Sequence, residues 1–281
     1  MTTAFERLFA GRQARAAVGA FTCYDLETAA AVLRAAERRG TPVILLVGAR
    51  SFAAKDGPRL LSALVAAAAH SDIGACVQLD HCSDLDQIGA ALELGAGAVM
   101  ADASKLDFEA NVAFVQSAVA RAAAFGAGVE AELGGISGDE DAARAVEAGA
   151  LTDPDQAREF VQRTGVHCLA VSIGNVHGLY RGPPRLDWSR LDEIAARVSW
   201  PLALHGASGI PDAMVRRSIA AGIAKINVNT ELRQAYLEAT REHLPALIAE
   251  AQLADLHDAQ SAAVERVVEA KLEVYGPGTG V

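Results

Sequence analysis

A chain of 281 residues that is 51% hydrophobic and 21% charged carries enough apolar material for a sizeable core, which excludes a disordered segment. Its 25 basic residues against 35 acidic ones leave a net charge of −10 with neutral histidines, so it presents no broad basic face for nucleic acid or an anionic membrane. No window approaches the ~20 uninterrupted apolar residues of a membrane span.

The chain opens with Glu6, Arg7, Arg12 and Arg15, where a signal peptide needs an unbroken apolar stretch, and no export is expected. Short apolar runs then alternate with longer amphipathic ones. Strands are expected at 18–22, 42–47, 75–79, 98–101, 128–133, 168–173, 201–204 and 224–228. Helices are expected at 26–38, 60–68, 85–94, 108–125, 154–163, 186–198, 211–220 and 232–251, with an extra C-terminal helix over 255–272. Pro154 and Pro211 stand at first helical turns, and Gly95, Gly126, Gly165 and Gly222 follow helical segments as stops. About eight βα units in one uninterrupted chain is the arithmetic of a (β/α)8 barrel, a TIM barrel in the α/β class; a doubly wound open sheet is the alternative. No linker divides the chain, so one domain over 1–281 is expected.

In such a barrel the active site lies at the C-terminal strand ends, and these ends are polar. The third strand leads into Asp80 and His81, the fourth into Asp102, and the fifth carries Glu130 and Glu132. Beyond the sixth come Asn175, His177 and Gly178; the seventh ends at His205, Gly206 and Ser208, and the eighth at Asn227, Asn229 and Thr230. A lone strand-end histidine is usually a packing or capping residue. Three brought to one mouth lose hydration unless something binds them, and three imidazoles with an open position suit a catalytic Zn2+. Glu130 and Glu132 share one strand face and need partners, either a basic residue of a neighbouring helix or the metal site, as a ligand or as a carboxylate supporting the histidines. Asp102 has the same two readings. Asp80, beside a ligand, is placed to move a proton. The glycine turns after the last three strands, with a helix N-terminus, are where barrels bind phosphate. The 134–149 connection, rich in glycine and acids, is the natural lid. Cys23, Cys76, Cys82 and Cys168 form no CxxC pair and read as reduced thiols of a cytoplasmic protein.

Five motifs, LDH at 79–81, EAELG at 130–134, GNVHGLY at 174–180, LHGASG at 204–209 and KINVNTE at 225–231, resemble in order and spacing the class II, zinc-dependent ketose-bisphosphate aldolases. The resemblance implies that His81, His177 and His205 hold the catalytic Zn2+, with Asp102 and Glu132 at a displaced or second divalent-metal position. It further implies that Asp80 and Glu140 are the two proton-moving acids, with Asp80 acting at the hydroxyl that becomes the aldehyde and Glu140 at the dihydroxyacetone phosphate carbon. Gly178, Arg181, Gly206, Ser208, Asn227, Asn229 and Thr230 match the substrate-binding positions, near which the family uses a monovalent cation. The implied activity is cleavage of a fructose- or tagatose-type 1,6-bisphosphate to dihydroxyacetone phosphate and an aldehyde such as glyceraldehyde 3-phosphate, in a homodimer or homotetramer.

The residues 21–25, Cys82 and Lys105 depart from the family's usual ones, as does the 275–280 tail. A deoxy-ketogluconate phosphate is therefore an alternative substrate, and a non-catalytic accessory subunit is a third reading. A Schiff-base mechanism would need Lys225 or Lys105 in the mouth and would leave the three histidines unexplained.

Overall fold

Eight parallel strands close on themselves in sequence order: β1 (Val18–Thr22), β2 (Val43–Gly48), β3 (Ala75–Cys82), β4 (Ala98–Ala101), β5 (Gly128–Leu133), β6 (Cys168–Val171), β7 (Leu202–Leu204) and β8 (Ile223–Val228). The structure is a computed structural model and describes residues 2–10, 16–138, 145–146 and 149–276. The expected (β/α)8 barrel is the observed architecture, and the open-sheet alternative fails because β1 pairs with β8 as well as with β2.

Local chemistry starts the helices. Asp25, Asp84, Asp107, Asp153 and Asp187 each accept from a first-turn amide, satisfying donors that the helix itself cannot. Gly40 and Gly165 end theirs in the left-handed conformation at φ 60° and 68°. The helix expected from 60 begins at Gly57 because Pro58 fits a first turn, whereas Pro211 caps a helix that begins at Asp212. The helix expected over 232–251 spans Thr230–Leu247, and the C-terminal helix spans Leu253–Tyr275. That last helix lies along Leu26–Arg39, with Arg34, Arg38 and Arg39 facing Glu265, Glu269 and Glu273.

Two helices escaped the sequence reading. Ala49–Ala53 is one short turn after β2. Ala4–Ala10 carries a Thr3–Glu6 capping box, in which each residue's amide donates to the other's side chain at 3.0 and 2.7 Å. It turns buried Phe5, Leu8 and Phe9 towards the apolar lower interior, among Ile44, Leu46, Met100 and Ala170. The larger core fills the layer between strands and helices. Above the apolar floor the interior becomes polar, with Gln78, Glu130 and Lys225 fully buried.

Candidate active site

β3 ends later than expected, at Cys82, because its pairing with β2 continues through Gly48 opposite Asp80. Its register with β4 shifts between Leu79 and Cys82, and within that irregularity His81 takes φ 48°. A non-glycine residue in this left-handed region costs of order 1 kcal/mol, and such strain is found where a side chain is re-aimed. Here the irregularity places His81 among its partners at the barrel mouth.

The ring of His81 stands edge-on to both His177 and His205, with centroids 4.9 Å away in each case, and His177 and His205 are 6.0 Å apart. One ring nitrogen of each of the three lies within 4.8 Å of the others. His81 Nδ1 donates to Asp102 Oδ2 at 2.8 Å, and His205 Nε2 donates to Glu130 Oε1 at 2.7 Å. Burial opposes ionisation of Asp102, but hydrogen bonds and charge from His81, aided by Ser104, outweigh it and hold its carboxyl well below the usual range. Burial likewise opposes ionisation of Glu130, and Lys225 with His205 reverses the balance. Both are therefore carboxylates, which only accept, so the facing ring nitrogens carry the hydrogens. Burial disfavours the charged form of His205 and lowers its pKa, against the pull of Glu130. What remains is His81 Nε2 facing His205 Nδ1 at 2.9 Å. With their other hydrogens committed to carboxylates, these two nitrogens face one shared position that a cation, a proton or a metal ion, can occupy.

A second group joins His81 to Asp102 and Glu132, again with one ligand atom each within 4.8 Å. Glu132 Oε1 accepts from the Ile136 amide at 3.3 Å, while its buried Oε2 has no hydrogen-bond partner. Burial first, then the charge of Asp102, pushes its carboxyl up to about 7. Buried Asp80 also has an oxygen, Oδ1, without a hydrogen-bond partner. A cleft of about 610 Å³ opens beside these groups, lined among others by Ser83, Asp102, Lys105, Leu106, Phe114 and Glu132. Unsatisfied carboxylate oxygens and opposed imidazole nitrogens at one mouth are a donor set that fits a divalent metal.

The turns after β6 and β7 are stitched together. Asn175 Nδ2 donates to the His205 carbonyl at 3.1 Å, and the Tyr180 hydroxyl donates to the Gly206 carbonyl at 2.9 Å. Gly206 sits at φ 61° so close to the Val176 carbonyl that any Cβ would collide with it, and Gly178 takes φ 89°. Ser208, Asn227, Asn229 and Thr230 are buried, and Asn227 Nδ2 lies 3.5 Å from His205 Nδ1. Asn229 receives the Tyr24 hydroxyl at 3.0 Å and makes no side-chain cap on the helix that begins at Thr230, so first-turn amides remain for a ligand. Arg181 is exposed beyond the Tyr180 turn. The His177 amide donates to the Ser137 carbonyl at 2.8 Å, so the connection that follows β5 passes alongside this histidine. Glu140 lies outside the described residues, two positions beyond Gly138.

The pairing of Glu130 with Lys225, and Arg233, were not foreseen. Glu130 meets no helix cation but supports one of the histidines, as the sequence allowed; its partners are His205, Lys225 Nζ at 2.8 Å and Gln78 Nε2 at 2.9 Å. Lys225 is consequently no amine nucleophile: burial opposes its charge, but Glu130 outweighs that and raises its pKa. Lys105 lines the cleft, so Lys225 alone of the two is removed from a Schiff-base role by its partners. Arg233, one turn into the helix that starts at Thr230, has buried Nε and Nη2 with no hydrogen-bond partner, beside a 220 Å³ cavity lined by Thr22, Tyr24, Asp25 and Tyr236. The visible signal was a cation just past a phosphate-type turn.

The family described as "Fructose-bisphosphate aldolase class-II" matches residues 3–278. A Bacillus subtilis (strain 168) protein named "Probable fructose-bisphosphate aldolase" is 40% identical over 244 residues, covering 86% of this chain and 85% of its own length. The crystal structure of the YdjI aldolase from Escherichia coli K12 superposes with a TM-score of 0.84 at 32% identity over 98% of each chain. A Coccidioides immitis protein, solved as a candidate fructose-1,6-biphosphate aldolase, gives 0.88 at 30% identity over 98% of this chain and 96% of its own.

Proposed function

This chain belongs to the class II fructose-bisphosphate aldolase family and is a lyase, and from that premise we propose that it cleaves a ketose 1,6-bisphosphate, of fructose or tagatose type, to dihydroxyacetone phosphate and an aldehyde such as glyceraldehyde 3-phosphate. The observation that carries the reading is the pair of imidazole nitrogens, His81 Nε2 and His205 Nδ1, opposed at 2.9 Å with each ring's other nitrogen committed to a carboxylate. His177 completes the set that would hold Zn2+, and Asp102 and Glu132 with His81 would hold a displaced or second divalent ion. When bound, the metal supplies Lewis acidity to the ketose carbonyl and draws off charge as the carbon–carbon bond breaks.

The chain's own groups perform the rest. Asp80 takes the proton from the hydroxyl whose carbon becomes the aldehyde, and Glu140 returns one at the dihydroxyacetone phosphate carbon. Gly178, Gly206, Ser208, Asn229 and Thr230 hold the phosphate of that half through amides, hydroxyls and a helix N-terminus, with a monovalent cation nearby; Asn227 and Arg181 contact the substrate. The unpartnered nitrogens of Arg233 support a second anionic group on the substrate. A modified sugar phosphate of the deoxy-ketogluconate type is the second reading, favoured by the way Lys105 shares the cleft with Leu106 and Phe114. The accessory-subunit reading loses its support, since the three histidines, Asp102 and Glu132 converge.

No helix among the described residues is long and apolar enough to cross a membrane, and four buried thiols without disulfides support cytoplasmic residence. Exposed Leu237, Ile248 and Leu253 support a homodimer or homotetramer, which light scattering will read. The deciding assay measures metal content, then dihydroxyacetone phosphate release from fructose and tagatose 1,6-bisphosphates with and without a chelator. Release from one sugar, lost on chelation and restored by zinc, is expected. Bound zinc with release from neither moves the reading to a modified sugar phosphate, and absence of bound metal overturns it.

A further inference from the structure

The phosphate-side turn after β7 is held from outside the barrel. The Gly209 amide, next to Ser208, donates to Glu231 Oε1 at 2.9 Å. The other oxygen of Glu231 meets Lys271 Nζ at 2.6 Å, and the two side chains are only 26% and 14% exposed. Glu231 is the second residue of the helix Thr230–Leu247, and Lys271 belongs to the C-terminal helix Leu253–Tyr275. Arg216 reinforces the same junction from the helix Asp212–Ala220, its guanidinium donating to the Val274 and Glu273 carbonyls at 3.1 and 3.3 Å.

The electrostatics of this junction are unequal without the lysine. A carboxylate bonded to Gly209 fixes the turn but places negative charge next to Ser208, Asn229 and Thr230, where a phosphate dianion is to sit. Partial burial weakens solvent screening, so a neighbouring cation has a larger effect there than on an open surface. Lys271 offsets that charge while leaving the Gly209 bond intact.

We infer that Lys271 is a positioning residue for substrate phosphate: through Glu231 it holds the Ser208–Gly209 turn and neutralises the carboxylate at its edge. The inference rests on the reading of that turn as a phosphate site.

The test uses the full-length, metal-loaded protein with dihydroxyacetone phosphate and inorganic phosphate as calorimetric probes, and metal content and Tm measured alongside. Lys271→Met is expected to weaken both probes by about fivefold with metal content unchanged. Lys271→Arg is expected to restore binding. Lys271→Met combined with Glu231→Gln is expected to regain most of it, because the amide oxygen still accepts from Gly209 without the charge. A lower Tm with unchanged probe affinities in Lys271→Met, or a double variant no better than the single one, overturns the inference. Ser208→Ala separates the two levels: if it leaves phosphate binding intact, the phosphate reading of the turn falls and takes the inference with it. If Ser208→Ala weakens binding and Lys271→Met does not, the inference alone falls.

Discussion

Glu130 receives the Nε2–H of His205 at 2.7 Å while its second oxygen lies 2.8 Å from the ammonium of Lys225, so one wholly buried carboxylate orients the His205 imidazole and balances an interior cation. Neither role is cheap to lose. Removing one member of a buried pair strands the other's charge, whereas replacing both by neutral groups is often tolerated.

Glu130→Gln is therefore expected to lower metal affinity by about 10- to 100-fold and stability by about 3–5 kcal/mol. Adding Lys225→Met should return most of the stability without the metal affinity, since His205 still lacks its carboxylate. Competitive metal titration and denaturant melts check the two effects. Full recovery of metal binding in the double variant would contradict the role given to Glu130.

His205→Ala should remove bound metal and cleavage together, while Asp80→Ala should keep the metal and lose cleavage by about 100-fold or more. Elemental analysis beside single-turnover assays distinguishes them. Metal loss in the Asp80 variant would make it a ligand rather than the proton-moving acid.

Glu132 binds its proton more tightly when folded, its carboxyl being pushed up to about 7 from 4.5, chiefly by burial. For an acid shifted upward the folded state holds more protons than the unfolded one between these values, so metal-free stability falls as pH rises from about 4.5 to 7. The loss approaches about 3 kcal/mol by pH 7 and then levels off. Glu132→Gln should flatten this slope, and a divalent ion should reverse it, because cation and proton compete for the carboxylate. Chemical denaturation of metal-free and metal-loaded protein across this range is the check; an unchanged slope in the glutamine variant would remove Glu132 as its source.

If Arg233 meets a second anionic group, Arg233→Ala should raise KM for the bisphosphate about tenfold or more while cleavage of the corresponding ketose 1-phosphate changes little. Equal losses on both substrates would place Arg233 in the scaffold instead.

The barrel was legible because short continuous apolar runs and capped amphipathic helices are local patterns, and eight of them in one chain leave few architectures. His81, His177 and His205 were legible for the same reason: strand ends can be located from the sequence, and barrel strand ends face one mouth. The extension of β3 through Asp80, His81 and Cys82 was not, because it follows from pairing with β2 and a register shift against β4, neither of which is local. The plug helix had its capping box in plain view at Thr3 and Glu6, but a seven-residue helix is stable only against the barrel floor it covers.

The sequence by itself determined which chemistry could occur, since residue type and strand-end position are written in it: three imidazoles, the acids beside them, and glycine turns ahead of a helix N-terminus. Partnership was decided only by the tertiary structure. Glu130 and Glu132 stand two residues apart on one strand face, yet one is held ionised by Lys225 and His205 and the other has its carboxyl pushed up to about 7 by burial. Lys225 comes from a strand 95 positions later, and Lys271 from a helix beyond that. Protonation and hydrogen bonding depend on distances across the barrel, and closing the sheet sets those distances.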